Sequence, residues 1–217
     1  FFMSKKPYNP LMKIFFLGPE GTNSDLAARN IFDNSAKYMP LPSIEDIFEK
    51  VAMSHSYYGV IPFENSYQGV INSSLNCLID YDLKILKEFN FSVSHNLCSI
   101  NEDVDLSSIK KITSHPQVFG QCNTWIRRNI PDAEKIIATS TAEAASETTK
   151  DKDLFCIANT YAIELFGLHT HQENIQDSND NKTRFLVIGK SIEDKSEHNK
   201  TSVMILSLIH ISEPTRQ

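Results

Sequence analysis

Short apolar runs alternate with amphipathic segments along most of the chain, beginning with the run at residues 13–17. A short apolar or β-branched run bounded by turn residues is typical of a buried strand. The segments that follow these runs carry apolar residues three and four positions apart, which is typical of a helix with one face in the core. Regular alternation of the two patterns predicts an α/β fold with mainly parallel sheets.

The pattern places most of the strands and helices. The predicted strands cover residues 13–17, 58–61, 109–113, 135–139, 154–158 and 185–188. The predicted helices cover residues 24–32, 71–81, 116–128 and 159–166, and two more begin after Ser43 and Ser140. A carboxylate residue lies three positions after each of these serines, so both segments resemble a capping box at a helix N-terminus.

Two stretches break the alternation. Residues 83–100 are extended, with apolar residues at alternate positions around Phe91, which predicts a strand that passes from one lobe to another. Residues 171–182 are polar and lie directly ahead of an apolar strand, as expected where a chain returns across a cleft. We therefore predict that the chain crosses between two lobes near residues 83–100 and 171–185.

The charge of the chain argues against a nucleic-acid partner. The 217 residues include 21 Lys and Arg against 27 Asp and Glu, which gives a net charge of −6. The basic residues are scattered singly or in pairs, whereas phosphate contacts need clustered Lys and Arg. No apolar run approaches the ~20 residues of a membrane-spanning helix, so no membrane partner is expected either.

The cysteines indicate neither a metal site nor a disulfide framework. Cys77, Cys98, Cys122 and Cys156 are far apart, with no Cys-x-x-Cys or Cys/His spacing that could hold zinc. They are interpreted as small core residues of a reducing compartment. We therefore expect a cytoplasmic protein without a bound metal.

Polar residues follow several of the predicted strands, where α/β proteins bind their ligands. The first group is the turn at 18–24, which leads into a helix. Backbone N–H groups at Gly21, Thr22 and Asn23 could bind an anion, and because Glu20 would repel a polyphosphate, a carboxylate is favoured. An ordinary turn between strand and helix explains the same residues equally well.

The second group, Glu64 and Asn65, follows the strand predicted at 58–61. A carboxylate at the edge of a sheet, partly removed from water, can act as an acid or accept a hydrogen bond. The alternative is a helix cap formed by Asn65 or Ser66, which is the commoner explanation of these residues alone.

The third group runs from Ser114 to Gln121, at the start of a predicted helix. His115 has the chemistry of a general base, but a neutral histidine with a structural hydrogen bond at a helix N-terminus explains it as well. The sequence identifies no Ser/His/Asp triad, because nothing places a base beside a nucleophile.

The fourth group, Thr183 and Arg184, lies just ahead of the strand predicted at 185–188. Arg184 could bind a carboxylate through two parallel hydrogen bonds, and Thr183 could donate one hydrogen bond. The alternative is a surface salt bridge next to a β-branched residue that begins a strand.

Taken together, these groups resemble one family, prephenate dehydratase, over residues 12–208. The segments that match, in order, are 18–24, 62–66, 114–122, 140–142 and 183–185. They are similar to the family's Gly-Pro-x-Gly-Thr turn, Pro-x-Glu-Asn-Ser turn, Ser-His-Pro-Gln helix, Ser-Thr-Ala turn and Thr-Arg-Phe signature. Asn23 departs from the family, which carries an aromatic residue at that place.

The resemblance implies a lyase of phenylalanine biosynthesis that converts prephenate to phenylpyruvate by coupled decarboxylation and dehydration. Aromatisation drives that reaction, so the family needs no cofactor. Thr183 is then expected at the leaving hydroxyl, with Glu64 and Asn65 as further catalytic residues of the cleft. Substrate contacts are expected from Ser114, Gln121 and Arg184, or from the backbone of Gly21, Thr22 and Asn23.

The resemblance also implies a fold in which two α/β lobes enclose a cleft, as in type II periplasmic binding proteins. Lobe one would comprise about residues 12–90 and 178–190, and lobe two about residues 91–177. A linker is expected at 191–200. Residues 201–217 are interpreted as a remnant of the first strand of an ACT regulatory domain, followed by truncated or foreign sequence.

Two other functions stay open at this point. A non-catalytic small-molecule-binding protein would share the two-lobed fold, although such proteins are normally exported and the sequence predicts no signal peptide. Arogenate, the amino analogue of prephenate, is the alternative substrate for the same chemistry. Family members associate as dimers or higher oligomers, so a homo-oligomer is expected.

Overall fold

Two β-sheets organise the structure, a computed structural model that describes residues 12–32, 36–67, 69–178 and 180–190. The strands are β1 (Lys13–Leu17), β2 (Lys37–Leu41), β3 (Tyr57–Asn65), β4 (Gly69–Val70), β5 (Lys84–Ser92), β6 (Asn96–Ser99), β7 (Lys111–Ser114), β8 (Glu134–Ile137), β9 (Leu154–Ala158), β10 (His169–Gln172) and β11 (Lys182–Gly189). The helices are α1 (Asn23–Phe32), α2 (Ile44–Val51), α3 (Asn72–Asp80), α4 (Pro116–Gln121), α5 (Asn123–Asn129), α6 (Thr141–Thr148) and α7 (Thr160–Phe166). The linker and the ACT strand predicted at 191–217 lie outside the described residues.

The two sheets share one strand arrangement. The order is β2-β1-β3-β11-β5 in the first sheet, with β4 also paired to β3, and β8-β7-β9-β6-β10 in the second. The first three strands of each order are parallel, whereas the fourth strand is antiparallel to both of its neighbours. The predicted α/β fold with two lobes is therefore confirmed. Each sheet is mixed, with its parallel strands on one side.

The fourth strand of each sheet arrives from the other sheet. β6 follows β5 of the first sheet along the chain, and β11 follows β10 of the second. Each enters at the edge where the parallel strands end and therefore runs back against them. The two connecting segments, residues 93–95 and the described residues 173–178 and 180–181, fall inside the two stretches that the sequence predicted as crossings. We refer to these segments as the hinge.

The two segments of the hinge are hydrogen-bonded to each other. Val93 N donates to Asn181 O at 3.0 Å, and Ile175 N donates to His95 O at 2.8 Å. His95 N also donates to Gln176 Oε1 at 3.0 Å. The two crossings therefore lie side by side, and residues of the hinge sit next to both sheets.

Apolar clusters on both faces of the sheets form the core. In β11, Phe185 packs with the residues of α1, whereas Leu186 packs with residues of α2 and α3. Side chains alternate between the two faces along a strand. Thr183 therefore shares the α1 face with Phe185, and Arg184 lies on the opposite face.

Strand β3 extends further than its sequence predicts. Residues 62–65 pair with β11 and β4, so Glu64 and Asn65 lie within a strand rather than in a turn. A register shift, in which Phe185 faces Pro62 and Arg184 faces Glu64, leaves an extra residue in β3 next to the proline. A bulge of this kind accommodates proline, which cannot donate a hydrogen bond to the sheet.

Three strands, β2, the two-residue β4 and β10, were missed, and one predicted helix is two. β2 contains Pro40 and β10 is polar, so neither has a clear strand pattern; both lie at the edge of a sheet, where proline and polar residues are tolerated. The helix predicted at 116–128 is interrupted at Cys122, whose φ of −116° and ψ of 14° depart from helical values. Because of this interruption, α4 ends at Gln121.

Gly59, in the middle of β3, offers a test of core packing. A Cβ atom there would lie 2.7 Å from side-chain atoms of both Ile188 and Ile47. We expect Gly59→Ala to lower the free energy of unfolding by about 1–3 kcal/mol, the usual cost of overpacking. Denaturant-induced unfolding measures the change.

Gly120→Ala is the matched control for that substitution. Apart from its chain neighbours and the backbone of its own helix, no described residue has an atom within 4 Å of a Cβ added at Gly120. Because Gly120 lies in α4, alanine is expected to raise the free energy of unfolding by up to about 1 kcal/mol. Equal destabilisation by the two substitutions would contradict this description of the core.

Candidate active site

Asn65 and Thr183 meet at the edge of the first sheet beside the hinge. Asn65 ends β3, and Thr183, near the start of β11, is its direct partner in the sheet. Asn65 Nδ2 donates to Thr183 Oγ1 at 2.9 Å, and each residue is only 8% exposed. Two residues far apart in the sequence, both predicted to be catalytic, are therefore in direct contact.

A series of hydrogen bonds connects this pair to the second lobe. Asn65 Nδ2 lies 3.3 Å from Asn181 Oδ1, Asn181 Nδ2 donates to Gln121 Oε1 at 3.1 Å, and Gln121 Oε1 lies 2.7 Å from His95 Nε2. We refer to Thr183, Asn65, Asn181, Gln121 and His95 as the cleft network. Its members come from the first sheet, from the hinge, and from the end of α4.

The direction of these bonds follows from one backbone amide. Tyr67 N donates to Asn65 Oδ1 at 3.0 Å, so the NH2 group of Asn65 must be the part that faces Thr183. Thr183 Oγ1 therefore accepts a hydrogen bond from Asn65. No hydrogen bond donated by the Thr183 hydroxyl is found among the described residues, so this hydrogen is available to a bound molecule.

The same direction continues to Gln121. Asn181 Oδ1 accepts from Asn65, so Asn181 Nδ2 must donate to Gln121 Oε1. The oxygen of Gln121 thus faces the network, and its NH2 group, for which no partner is found within the described part of the chain, faces away. Gln121 is partly exposed, so these two N–H donors can reach a ligand.

The turn at 18–23 contacts the second lobe. Asn159, which begins α7, donates through Nδ2 to Gly21 O at 2.9 Å and to Asn23 Oδ1 at 3.0 Å. Gly21 has a φ of +85°, which favours glycine, and an added Cβ would lie 3.3 Å from the Cβ of Ala142. The two lobes are therefore in contact at this point.

The predicted carboxylate site in this turn is partly occupied by the protein itself. Gly21 N donates to Asp25 Oδ2 at 2.9 Å, and the buried Asp25 carboxylate is paired with Arg29 at 2.8 Å. Thr22 Oγ1 donates to Leu17 O at 3.1 Å. An anion at Gly21 would compete with Asp25, so the roles predicted for Gly21, Thr22 and Asn23 in substrate binding stay predictions.

Glu64 and Arg184 lie together, away from Thr183. They are partners in the pairing of β3 with β11, on the face opposite Asn65 and Thr183, with Arg184 Nη1 3.6 Å from Glu64 Oε2. Arg184 also binds the carboxylate of Glu88 through Nε at 3.1 Å and through Nη2. The structure therefore shows the salt bridge that was the alternative for Arg184, and it does not bring Glu64 to Thr183.

Ser114 and His115 make structural hydrogen bonds. The buried Ser114 hydroxyl donates to Ile157 O at 2.8 Å, so its hydrogen is already used. His115 caps α4, where its Nδ1 accepts from Gln117 N at 3.3 Å. Burial raises the pKa of the nearby Cys122 thiol to about 12, so this thiol is not a nucleophile at neutral pH.

Three residues of this region had no role in the sequence-based prediction. Asn181 lies two positions before Thr183, so proximity to the Thr-Arg-Phe signature was an available signal. Asn159 had the weaker signal of a helix start. His95 is a single histidine in an extended run, and no motif marks it. Burial and the bond to Gln121 reveal it only in the structure.

Metal binding and membrane insertion find no support in the described residues. Among them, no group of three or more His, Cys, Asp and Glu side chains could hold a metal ion. Within the same ranges, no helix is both long enough and apolar enough to span a membrane.

Sequence comparison identifies the family to which the chain belongs. A sequence model of the prephenate dehydratase family matches residues 14–193, which include every residue of the cleft network. The chain belongs to the prephenate dehydratase family. Among curated relatives, the bifunctional chorismate mutase/prephenate dehydratase of Aquifex aeolicus is 34% identical over 193 residues, which are 89% of this chain and 53% of the relative. The chain thus spans about half the length of such relatives.

Solved structures of this prephenate dehydratase fold are also similar. A prephenate dehydratase from Arthrobacter aurescens, in complex with L-Phe, matches with a TM-score of 0.76 and 25% identity, covering 88% of this chain and 63% of the other. GqqA, described as a novel type of quorum-quenching acylase, matches with a TM-score of 0.72 and 25% identity, covering 82% and 64%. The fold is therefore shared by proteins with different named activities.

The buried ring of His95 predicts a pH dependence of stability. Burial lowers the pKa of His95, and the hydrogen bond with Gln121 opposes this shift. Below about pH 6.5 the unfolded chain takes up a proton that the folded chain does not. The contribution of neutral His95 is thus complete above about pH 6.5 and is lost as the pH falls through the folded pKa.

We expect the free energy of unfolding to fall as the pH is lowered below about 6.5, and to fall less in His95→Gln, which cannot titrate. Burial also lowers the pKa of His171, so His171→Gln is measured as the comparison. The same pH dependence in the wild type and in His95→Gln would contradict the assignment.

Proposed function

We propose that this chain converts prephenate to phenylpyruvate. Membership of the prephenate dehydratase family supports the reaction class. The observation that carries the proposal is the direction of the bond from Asn65 to Thr183, which leaves the Thr183 hydroxyl as a donor beside the hinge. The proposed reaction removes a hydroxyl group from a ring, and such a donor suits the oxygen that departs.

The reaction breaks two bonds of the substrate. The bond between the ring and its carboxylate breaks to release carbon dioxide, and that electron pair completes the aromatic ring. The carbon–oxygen bond on the opposite side of the ring breaks at the same time with its electron pair on oxygen, and the departing hydroxide takes up a proton that comes ultimately from the solvent and leaves as water. Thr183 donates a hydrogen bond to this oxygen as negative charge develops on it.

Asn65 and Gln121 have supporting parts in this proposal. Asn65 holds Thr183 as an acceptor on one side, so that the hydroxyl hydrogen stays directed towards the substrate. Gln121 offers two N–H donors from the second lobe, which suit a carboxylate of the substrate. The contact between Asn159 and the turn at 18–23 closes the lobes, and exclusion of water favours loss of the ring carboxylate.

Hydrolytic acyl transfer, the kind of activity named for GqqA, fits the described site less well. It needs a nucleophile activated by a neighbouring base. Ser114 donates to a backbone carbonyl, and the Thr183 oxygen accepts from an amide. Neither contact activates a hydroxyl, so these bonds favour the dehydratase.

The purified chain, incubated with prephenate and separately with arogenate, tests the proposal. The aromatic product is followed by its ultraviolet absorbance. We expect turnover of prephenate and a kcat/KM for arogenate that is lower. Turnover of arogenate but not of prephenate would identify arogenate as the substrate. Saturable binding of prephenate without any product would indicate a binding protein instead. The cytoplasmic location and homo-oligomeric assembly expected from the sequence stay predictions.

Thr183→Ala is expected to lower kcat by ~10²-fold or more, because a single donor to developing charge has an effect of this order. Thr183→Ser keeps the hydroxyl and is expected to keep much of the activity. Thr183→Val, which keeps the shape without the hydroxyl, is the matched control and should resemble alanine. Steady-state kinetics give kcat for the three variants. Equal losses of kcat in Thr183→Ser and Thr183→Val would mean that the hydroxyl does not contribute to the rate.

Glu64→Gln tests the predicted catalytic carboxylate separately. A general acid or base contributes about 10²–10⁴-fold to the rate. Because Glu64 faces Arg184 on the side opposite Thr183, we expect a loss of less than about tenfold and an unchanged pH profile. A larger loss, with one limb of the pH profile removed, would restore Glu64 to the catalytic role predicted from the sequence.

A further inference from the structure

We propose that His95 is a positioning residue that holds the Gln121 amide with its NH2 group directed into the cleft. The inference rests on the proposed function only in that Gln121 is taken to contact the substrate. His95 itself lies 2% exposed in the hinge and reaches the site through Gln121. It is therefore not a catalytic residue.

Two donors converge on the Gln121 oxygen. Asn181 Nδ2 lies at 3.1 Å and His95 Nε2 at 2.7 Å. Rotation of the Gln121 amide by half a turn would place its NH2 group against both of these donors. Since donor against donor is repulsive and a buried polar group without a partner is costly, only one orientation is stable.

The backbone and the environment of His95 hold its ring in place. Its N–H donates to Gln176 Oε1 at 3.0 Å and its carbonyl accepts from Ile175 N at 2.8 Å, so both main-chain groups are bound to the other segment of the hinge. Ring Nδ1 is buried and has no hydrogen-bond partner in the described residues. The ring hydrogen is thus required on Nε2, where Gln121 accepts it.

The consequence is that the orientation of Gln121 is determined from both sides. Asn181 transmits the direction set by the Tyr67 amide in the first lobe, and His95 adds a second donor from the hinge. Without His95, the Gln121 oxygen keeps only the longer of its two hydrogen bonds. The flipped amide then meets one repulsive contact instead of two, and it presents an oxygen to the substrate where N–H donors are needed.

Three histidine substitutions test this role. His95→Leu removes the donor, and we expect kcat/KM for prephenate to fall about tenfold. His95→Gln can place an N–H near the position of Nε2, and we expect activity within about threefold of the wild type. His171→Leu is the matched control, because His171 lies on edge strand β10, with its Nε2 bound to Ser99 at 2.8 Å and outside the cleft network. It is expected to leave activity unchanged.

A double-mutant cycle separates positioning from general damage to the fold. In a Gln121→Leu background, the amide that His95 holds is absent, so His95→Leu should cause no further loss of kcat/KM. Independent, multiplying losses would overturn the proposal. The proposal would also be overturned if His95→Gln lowered kcat/KM as much as His95→Leu while the two variants had the same melting temperature.

Nitrogen-15 NMR of the histidine rings tests the inference without any turnover. We expect the resonances that disappear in His95→Gln to show hydrogen on Nε2 and none on Nδ1, and the Nε2 signal to move in Gln121→Leu. Hydrogen on Nδ1 would overturn the proposal whether or not the enzyme is active. If prephenate is not turned over but the NMR result holds, the proposed function fails while the orientation of Gln121 stands.

Discussion

The hydrogen bond from Tyr67 N to Asn65 Oδ1 has only one direction, because a backbone amide donates and cannot accept. From it follow the orientation of the Asn65 amide, the acceptor role of Thr183 Oγ1, and the orientation of Asn181. A network made only of side-chain amides and hydroxyls could exist in two opposite directions. This network is anchored to the main chain, so the acceptor role of Thr183 Oγ1 towards Asn65 is determined before any ligand binds.

The topology explains why these residues meet. β11 enters the first sheet from the second lobe and must begin where β3 ends, so residues that are distant along the chain become neighbours in the sheet. The hinge, which makes this entry, contributes Asn181 and His95 directly. The segments that connect the lobes therefore carry two residues of the cleft network, and both of these residues are hydrogen-bonded to Gln121.

Hydrophobic periodicity was sufficient for most of the fold. The caps predicted at Ser43 and Ser140 are present, where the side chains accept from Asp46 N and Glu143 N. The meeting of Asn65 with Thr183 could be expected only through the resemblance to a family, because no local pattern relates the two. Side chains alternate between two faces only within a strand. β3 and β11 both extend beyond the strands predicted at 58–61 and 185–188, so Glu64 and Arg184 lie within strands. Glu64 and Arg184 consequently face away from Thr183, and His95, which has only tertiary contacts, was not predicted.

Asn159 contacts the first lobe and also caps a helix of the second lobe. Its Oδ1 accepts from Ala162 N at 2.8 Å as the cap of α7, while its Nδ2 binds the turn of the first lobe. Of the hydrogen bonds of Asn159, those of Nδ2 depend on contact between the lobes, whereas the cap lies within one lobe. The first turn of α7 therefore keeps its cap whether or not the turn of the first lobe lies against it, because the two functions of Asn159 use different atoms of one amide.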